Sequence, residues 1–230
     1  MVPDRSHAMS GTSRWVCLDV GETLIEETRT WSTWADVLGI PHMTVMAAFG
    51  AVVERGRDHA GVFDLLGVPD WRTSIDEVER RFGGFQPRDL YPDALPALGS
   101  LQRAGYHLAV IGNQPAIRDE ELRAIGVDPE VMAMSEAMGV SKPDPAFFAR
   151  ALELMGGPDP GDVAYVGDRP DNDVRPAAAA GMRAVWLRRG PWGIIAPEAP
   201  EAHLVVGSLA ELVDRIDEAW PEGPARTTLA

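Results

Sequence analysis

The segment Trp15-Val16-Cys17-Leu18-Asp19-Val20-Gly21-Glu22-Thr23-Leu24 runs an apolar stretch directly into a carboxylate, a glycine and a hydroxyl. Val16, Cys17, Leu18 and Val20 suit a strand buried on both faces, the kind found in parallel sheets covered by helices. Open sheets of that kind bind ligands beyond the carboxyl ends of their strands. Asp19 therefore stands where chemistry is expected, and the rest of the chain must supply further strands and crossover helices.

The second half of the chain meets that demand. Ala94 to Ala104 reads as a helix ending before Gly105, and His107 to Ile111 as a short apolar strand. Ala116 to Ile125 is helical and stops before Gly126, and Val131 to Met134 reads as a strand. Pro145 opens a helix to about Met155, in keeping with proline's place in a first helical turn. Val163 to Val166, Ala184 to Leu187 and Leu204 to Val206 are strands, with a helix from Asp173 to Ala180 closed by Gly181. Ser208 and Glu211 form a candidate capping box for a last helix, Leu209 to Ala219. This alternation is the βαβ pattern of a parallel α/β sheet.

Residues 25 to 89 interrupt it with helical periodicity alone. Trp31, Trp34, Ala35 and Leu38 recur at helical spacing, and Val45, Met46, Phe49, Val52 and Val53 repeat the pattern after Gly39-Ile40-Pro41. Ser74 and Glu77 are a further candidate capping box, and Gly83-Gly84-Phe85-Gln86-Pro87 reads as a hinge back to the sheet. The aromatic stripe is expected to form the core of an inserted helical cap, with Trp31 and Trp34 nearest a ligand. The expected division is an N-terminal arm over 1–13, a core over 14–24 and 90–219, a cap over 25–89, and a C-terminal tail over 220–230.

Composition narrows the partners. A formal net charge of −14 and 35 acidic residues against 21 basic ones disfavour nucleic acid and anionic membrane surfaces. An anionic substrate would need a local cationic pocket. One cysteine, Cys17, excludes an internal disulfide framework and reads as a buried thiol. No run approaches the ~18 to 20 apolar residues of a membrane span, and the polar start lacks a secretory apolar core, so cytoplasmic residence is the expectation.

Three further stretches carry chemistry. Ile111-Gly112-Asn113 closes a strand with a glycine, which lets a ligand approach the main-chain N–H groups of Gly112 and Asn113. Gly139-Val140-Ser141-Lys142-Pro143-Asp144-Pro145 contains the only lysine of the chain, against twenty arginines. A compact ammonium suits simultaneous contact with a carboxylate and a phosphoryl oxygen, and a guanidinium does not replace it. Val163 to Asp173 ends a strand in Gly167-Asp168 and opens the next helix with Asn172-Asp173.

In order and spacing these stretches resemble the four motifs of the haloacid dehalogenase-like hydrolases, over roughly Arg14 to Ala219. The first motif of that family usually reads Asp-x-Asp-Gly-Thr; here Asp19 and Thr23 match, Gly21 replaces the second Asp and Glu22 the usual Gly. In the second motif Asn113 matches, while Gly112 replaces a hydroxyl residue. The resemblance implies a Rossmann-like parallel-sheet core with a small inserted α-helical cap. It implies a Mg²⁺-dependent phosphatase of small phosphorylated metabolites, a monomer or homodimer, acting through an aspartyl-phosphate on Asp19. Lys142 would neutralise the transferring group, with Gly112 and Asn113 also binding substrate. The metal would lie on Asp19, Asp168 and the Gly21 carbonyl, with Asp173 left to cap its helix, hold Lys142 or order a metal-bound water. The acid that protonates the leaving group is absent from its usual position. Two other readings stay open: a catalytically weak binding protein on the same scaffold, and a haloacid dehalogenase, whose relatives carry an aromatic residue where Gly21 stands.

Overall fold

A computed structural model of the chain describes residues 14–221. The arm expected over 1–13, and the expected tail beyond residue 221, lie outside the described residues.

Six strands form one parallel sheet: β1 (Trp15–Leu18), β2 (His107–Gly112), β3 (Val131–Met134), β4 (Val163–Gly167), β5 (Arg183–Leu187) and β6 (Leu204–Val206). Their spatial order is β3-β2-β1-β4-β5-β6, so β1 lies between the two strands at which the winding reverses. Leu18 is level with Val110 on one side and Val166 on the other, and the Asp19 N–H continues the ladder to Val166 O at 2.9 Å. The chain after β1 therefore enters the crevice where doubly wound sheets bind ligands. The fold is the expected Rossmann-like α/β core with a helical insert.

Between β1 and β2 come four α-helices, α1 (Thr28–Leu38), α2 (His42–Glu54), α3 (Gly61–Leu65) and α4 (Ile75–Phe82), followed by α5 (Ala94–Arg103). Crossovers beyond β2 supply α6 (Arg118–Ala124), α7 (Ser135–Met138), α8 (Pro145–Leu154), α9 (Arg175–Ala179) and α10 (Gly190–Ile195), and α11 (Leu209–Arg215) follows the last strand. Alternate residues of β1 serve opposite layers. Val16 and Leu18 pack with Leu98 and Leu101 of α5 and Leu209 and Leu212 of α11, whereas Cys17 faces Phe147, Phe148 and Ala177 of α8 and α9. Burial on both faces is what the unbroken apolar run required, at about 1.5–3 kcal/mol for each large aliphatic side chain. It also pushes the Cys17 thiol pKa well up, which leaves it a packing residue.

Helix α1 ends at Gly39 in the left-handed conformation (φ 65°), whose N–H closes on Ala35 and Asp36 carbonyls. Helix α2 then folds back, so that Trp31 meets Phe49 at 4.5 Å between ring centroids, and Phe63 stacks on Trp71 at 4.4 Å. Helix α10 was not legible in the sequence. Its Trp192 leaves the sheet side to join this aromatic cluster, 4.8 Å from Phe49. The expected hinge at 83–87 is tied to α1 by Arg29, which donates to the Gly84 carbonyl at 2.6 Å and pairs with Asp89.

Four local expectations are corrected. Ser74 does not cap α4, because a 3₁₀ turn over Trp71–Ser74 runs into the helix and Glu77 turns to Arg80 and Arg81. Ser208 does cap α11, accepting from the Glu211 N–H at 3.0 Å, but the Glu211 carboxylate returns to Gly207 N–H rather than to its own cap residue. The helix expected from Asp173 begins instead as a wide π turn over Pro170–Val174 before α9, a form common at functional sites. Trp220, read as part of the tail, is 6% exposed and donates from its indole to Gly161 O at 2.7 Å.

Candidate active site

Asp19 leaves β1, Asp168 leaves β4, and Lys142 lies in the loop before α8, at the carboxyl edge of the sheet. The Lys142 ammonium is fully buried between two carboxylates, 2.7 Å from Asp19 Oδ1 and 2.6 Å from Asp173 Oδ1. Burial alone would lower the lysine pKa; the Asp173 and Asp19 charges override it and hold the ammonium above its ordinary value. The other Asp173 oxygen accepts the Arg169 N–H at 2.9 Å, so this side chain is wholly committed to positioning. Burial raises its pKa to about 6, with Lys142 pulling down and Asp19 pushing up.

Carboxyl oxygens of Asp19, Asp168 and Asp173 lie within 4.8 Å of one another. Asp168 is raised well above the carboxylate range by burial, then by its Asp173 and Asp19 neighbours. One of its oxygens, Oδ2, is buried without a hydrogen-bond partner. Buried polar atoms are nearly always satisfied. An unpaired oxygen among clustered carboxylates fits a cation, and an all-oxygen donor set fits a hard one such as Mg²⁺.

The two second-motif residues also shape the site around Lys142 and Asp19. Asn113 spends its carboxamide on the Lys142 main chain, donating to Lys142 O at 2.9 Å and accepting from Lys142 N–H at 2.8 Å. It fixes the loop that carries the ammonium. Gly112 gives space, since a Cβ there would stand 2.5 Å from Asp19 Oδ1 and 3.3 Å from Val20 N. The missing hydroxyl residue is thus linked to the seat of the Asp19 carboxylate.

Above these groups a cavity of about 460 Å³ is walled by the helical insert, including Trp31, Trp34 and His59. Arg169 lines its rim, its guanidinium 4.3 Å from the Trp192 ring and paired with Asp171 at 2.9 Å. Arg169 was not legible as a site residue, because its place at the cavity depends on Trp192 of α10. Glu27 was also missed. It is half-buried at the start of α1 and lines the same cavity. Burial, with Glu22 and Asp19 close by, lifts its pKa to about 8, and the Trp31 indole N–H and Arg169 offset only part of the rise.

A model of the haloacid dehalogenase-like hydrolase family matches residues 14–181. The chain belongs to that family. Within it, a phosphoserine phosphatase of Thermus thermophilus is 41% identical over 196 residues, covering 78% of this chain and 76% of that one. The pyrimidine 5'-nucleotidase YjjG of Escherichia coli is 32% identical over 210 residues, covering 78% of this chain and 90% of its own. Among solved structures, the HAD-hydrolase YfnB from Bacillus subtilis bound to magnesium superposes with a TM-score of 0.67 at 18% identity, covering 89% of this chain and 98% of the other. As a family member the chain is a hydrolase. Among its described residues no single helix is long and apolar enough to cross a membrane.

Proposed function

We propose that this hydrolase cleaves phosphate monoesters of small organic metabolites by transfer of the phosphoryl group to Asp19 and from there to water. The observation that carries the reading is the buried Asp19–Lys142–Asp173 chain of ion pairs beside the unpaired Asp168 oxygen. A carboxylate nucleophile divides one hard displacement into two easier ones. Asp173 and Asn113 hold the Lys142 ammonium against the phosphoryl oxygens, where negative charge is greatest in transfer, and a preorganised charge in a dry site is worth most.

A Mg²⁺ ion would be held by Asp19 and Asp168, with the Gly21 carbonyl and Asp173 beside it, and when bound it supplies positive charge to the phosphoryl group. Trp31, Trp34 and His59 over the cavity would select the leaving group. Relatives named for serine, triose and nucleotide phosphates support small phosphorylated substrates, and the formal net charge of −14 makes nucleic acid an unsuitable partner.

The test is release of inorganic phosphate from p-nitrophenyl phosphate, acetyl phosphate and phosphorylated metabolites, with Mg²⁺ and with chelator, by wild type and Asp19→Asn. Mg²⁺-dependent turnover lost in a folded Asp19→Asn protein is the expected result. An Asp19→Asn protein with wild-type rates would overturn the nucleophile assignment.

A further inference from the structure

Two protons have to be managed in such a reaction. An alkyl ester oxygen leaves as an alkoxide unless it receives a proton, and the water that opens the acyl phosphate must lose one. Asp19 is the attacking group and Lys142 is locked between carboxylates, while position 21 carries no side chain. Glu22 is taken. Its Oε2 accepts the Tyr91 hydroxyl at 2.5 Å, its Oε1 accepts the Glu27 N–H at 3.0 Å, and its stem fills the space over Gly190.

The space over Gly21 is filled by a different carboxyl. A Cβ built on Gly21 would stand 2.5 Å from Glu27 Oε1 and 3.1 Å from Glu27 Cδ. The first figure is close to the separation an aspartate's own carboxyl oxygen keeps from its Cβ. The next nearest atom is Gln114 Nε2, at 3.7 Å. Glu27 also borders the cavity that Asp19, Gly21 and Lys142 line, so the carboxyl over Gly21 belongs to the same site.

The local fold explains how a residue six positions on arrives there. Glu22 adopts a left-handed backbone (φ 50°), a conformation uncommon outside glycine. Its N–H reaches Ile25 O at 2.7 Å while Ile25 N–H reaches back to Val20 O at 3.0 Å. Residues 20 to 25 thereby close on themselves, and the start of α1 is delivered over Gly21, with the Glu22 carboxylate fastening the Glu27 main chain.

We infer that Glu27 is the general acid and base of this site, supplying across space the carboxyl that Gly21 does not carry. The inference rests on the phosphohydrolase reading above. In the first step an Asp19 oxygen bonds to phosphorus, the bond from phosphorus to the ester oxygen breaks with its electron pair, and that oxygen takes the Glu27 proton to leave as an alcohol. In the second, the Glu27 carboxylate takes a proton from water as the water oxygen bonds to phosphorus. The bond from phosphorus to Asp19 breaks, its electrons return to the carboxylate, and inorganic phosphate leaves with Glu27 protonated again. Glu22 and Tyr91 are positioning residues for this group.

Wild type, Glu27→Gln, Glu27→Ala and the double variant Gly21→Asp/Glu27→Ala, each checked for a wild-type-like thermal transition, are compared with Mg²⁺ on glycerol 2-phosphate, p-nitrophenyl phosphate and acetyl phosphate. Acid-quenched samples are weighed by mass spectrometry for a phosphoryl adduct on Asp19. Expected for Glu27→Gln is a loss of about 10²-fold or more on the alkyl ester, a much smaller loss in adduct formation from the two activated substrates, and build-up of the adduct because its hydrolysis lacks a base. The double variant should recover most of the alkyl-ester rate lost in Glu27→Ala, since an aspartate at 21 then has room. An unchanged ratio of alkyl to aryl rates in Glu27→Gln, without adduct build-up, overturns the inference, and so does equal loss on all substrates with no recovery in the double variant. Wild-type protein that turns over none of the three and never carries the adduct refutes the phosphohydrolase reading itself, and the Glu27 role with it.

Discussion

Replacing Lys142 by Met tests how the site is held together. Met retains the length of the stem among Phe147 and Tyr165, whose ring centroids lie 5.8 and 5.5 Å from the ammonium, and removes only the charge. Breaking a buried ion pair commonly costs about 3–5 kcal/mol, because the abandoned partner stays buried. Here Asp173 has no solvent access, but the Asp19 side chain keeps 11% exposure toward the cavity and is partly hydrated. The lower end of the range, about 3 kcal/mol at pH 8, is therefore expected, a fall in melting temperature of ~6–12 °C for a chain of this size. The pH dependence has a definite sign. Asp173 already titrates near pH 6 through burial, with Lys142 holding it down. Without the ammonium it rises further. A carboxyl whose folded pKa exceeds its unfolded one binds its proton more tightly when folded, so stability declines as pH climbs from the unfolded value through the folded one. The Lys142→Met deficit should thus be small at pH 5 and complete at pH 8. Scanning calorimetry of both proteins in chelator across that range measures it. A deficit below about 1 kcal/mol at pH 8, the scale of a surface pair, or one equal at pH 5 and 8, would refute the counter-ion argument.

If Mg²⁺ binds as proposed, it should stabilise the wild type by about 2.7 kcal/mol at a hundredfold excess over the dissociation constant, and Asp168→Ala should abolish that shift; an unchanged shift by scanning fluorimetry would put the metal elsewhere. Gly112→Ser, which restores the family hydroxyl, should lower phosphatase activity rather than raise it, since the new Cβ meets Asp19 Oδ1 and the Val20 backbone. Steady-state kinetics that improved would show that Asp19 can move aside at no cost. Trp192→Ala should cost about 3–5 kcal/mol in urea unfolding, with both the Phe49 edge contact and the Arg169 stack removed. A loss below about 1 kcal/mol would mean that α10 is not an anchor of the helical insert.

The sheet was legible because its central strands β1, β2 and β4 are buried on both faces and run into Asp19, Gly112 and Gly167, a pattern that leaves little freedom in register or layer. The four charged residues read from the motifs, Asp19, Lys142, Asp168 and Asp173, lie together for the same reason: each follows or faces a strand end. What could not be read depends on contacts made across the chain. Glu27 sits in an acidic stretch, Glu26-Glu27, that looks solvated until the left-handed turn at Glu22 folds it back. Gly190-Pro191-Trp192-Gly193 looks like a loop, yet Pro191 opens α10 and Trp192 finds a partner in α2. Ser74 failed as a cap because the chain entering it was already helical, whereas the extended backbone at Ser208 left its hydroxyl free to accept.

A chain with twenty arginines and a single lysine contains one ε-ammonium, and the fold has put it between Asp19 and Asp173. Expression with isotope-labelled lysine would therefore give a spectrum with one ammonium resonance and no assignment problem. Shielded from water and held by two carboxylates, its protons should exchange slowly enough to be seen directly by magnetic resonance. Ligand entry, metal loading and transfer to Asp19 would each be read as a displacement of that one line, without a reporter group being added to the protein.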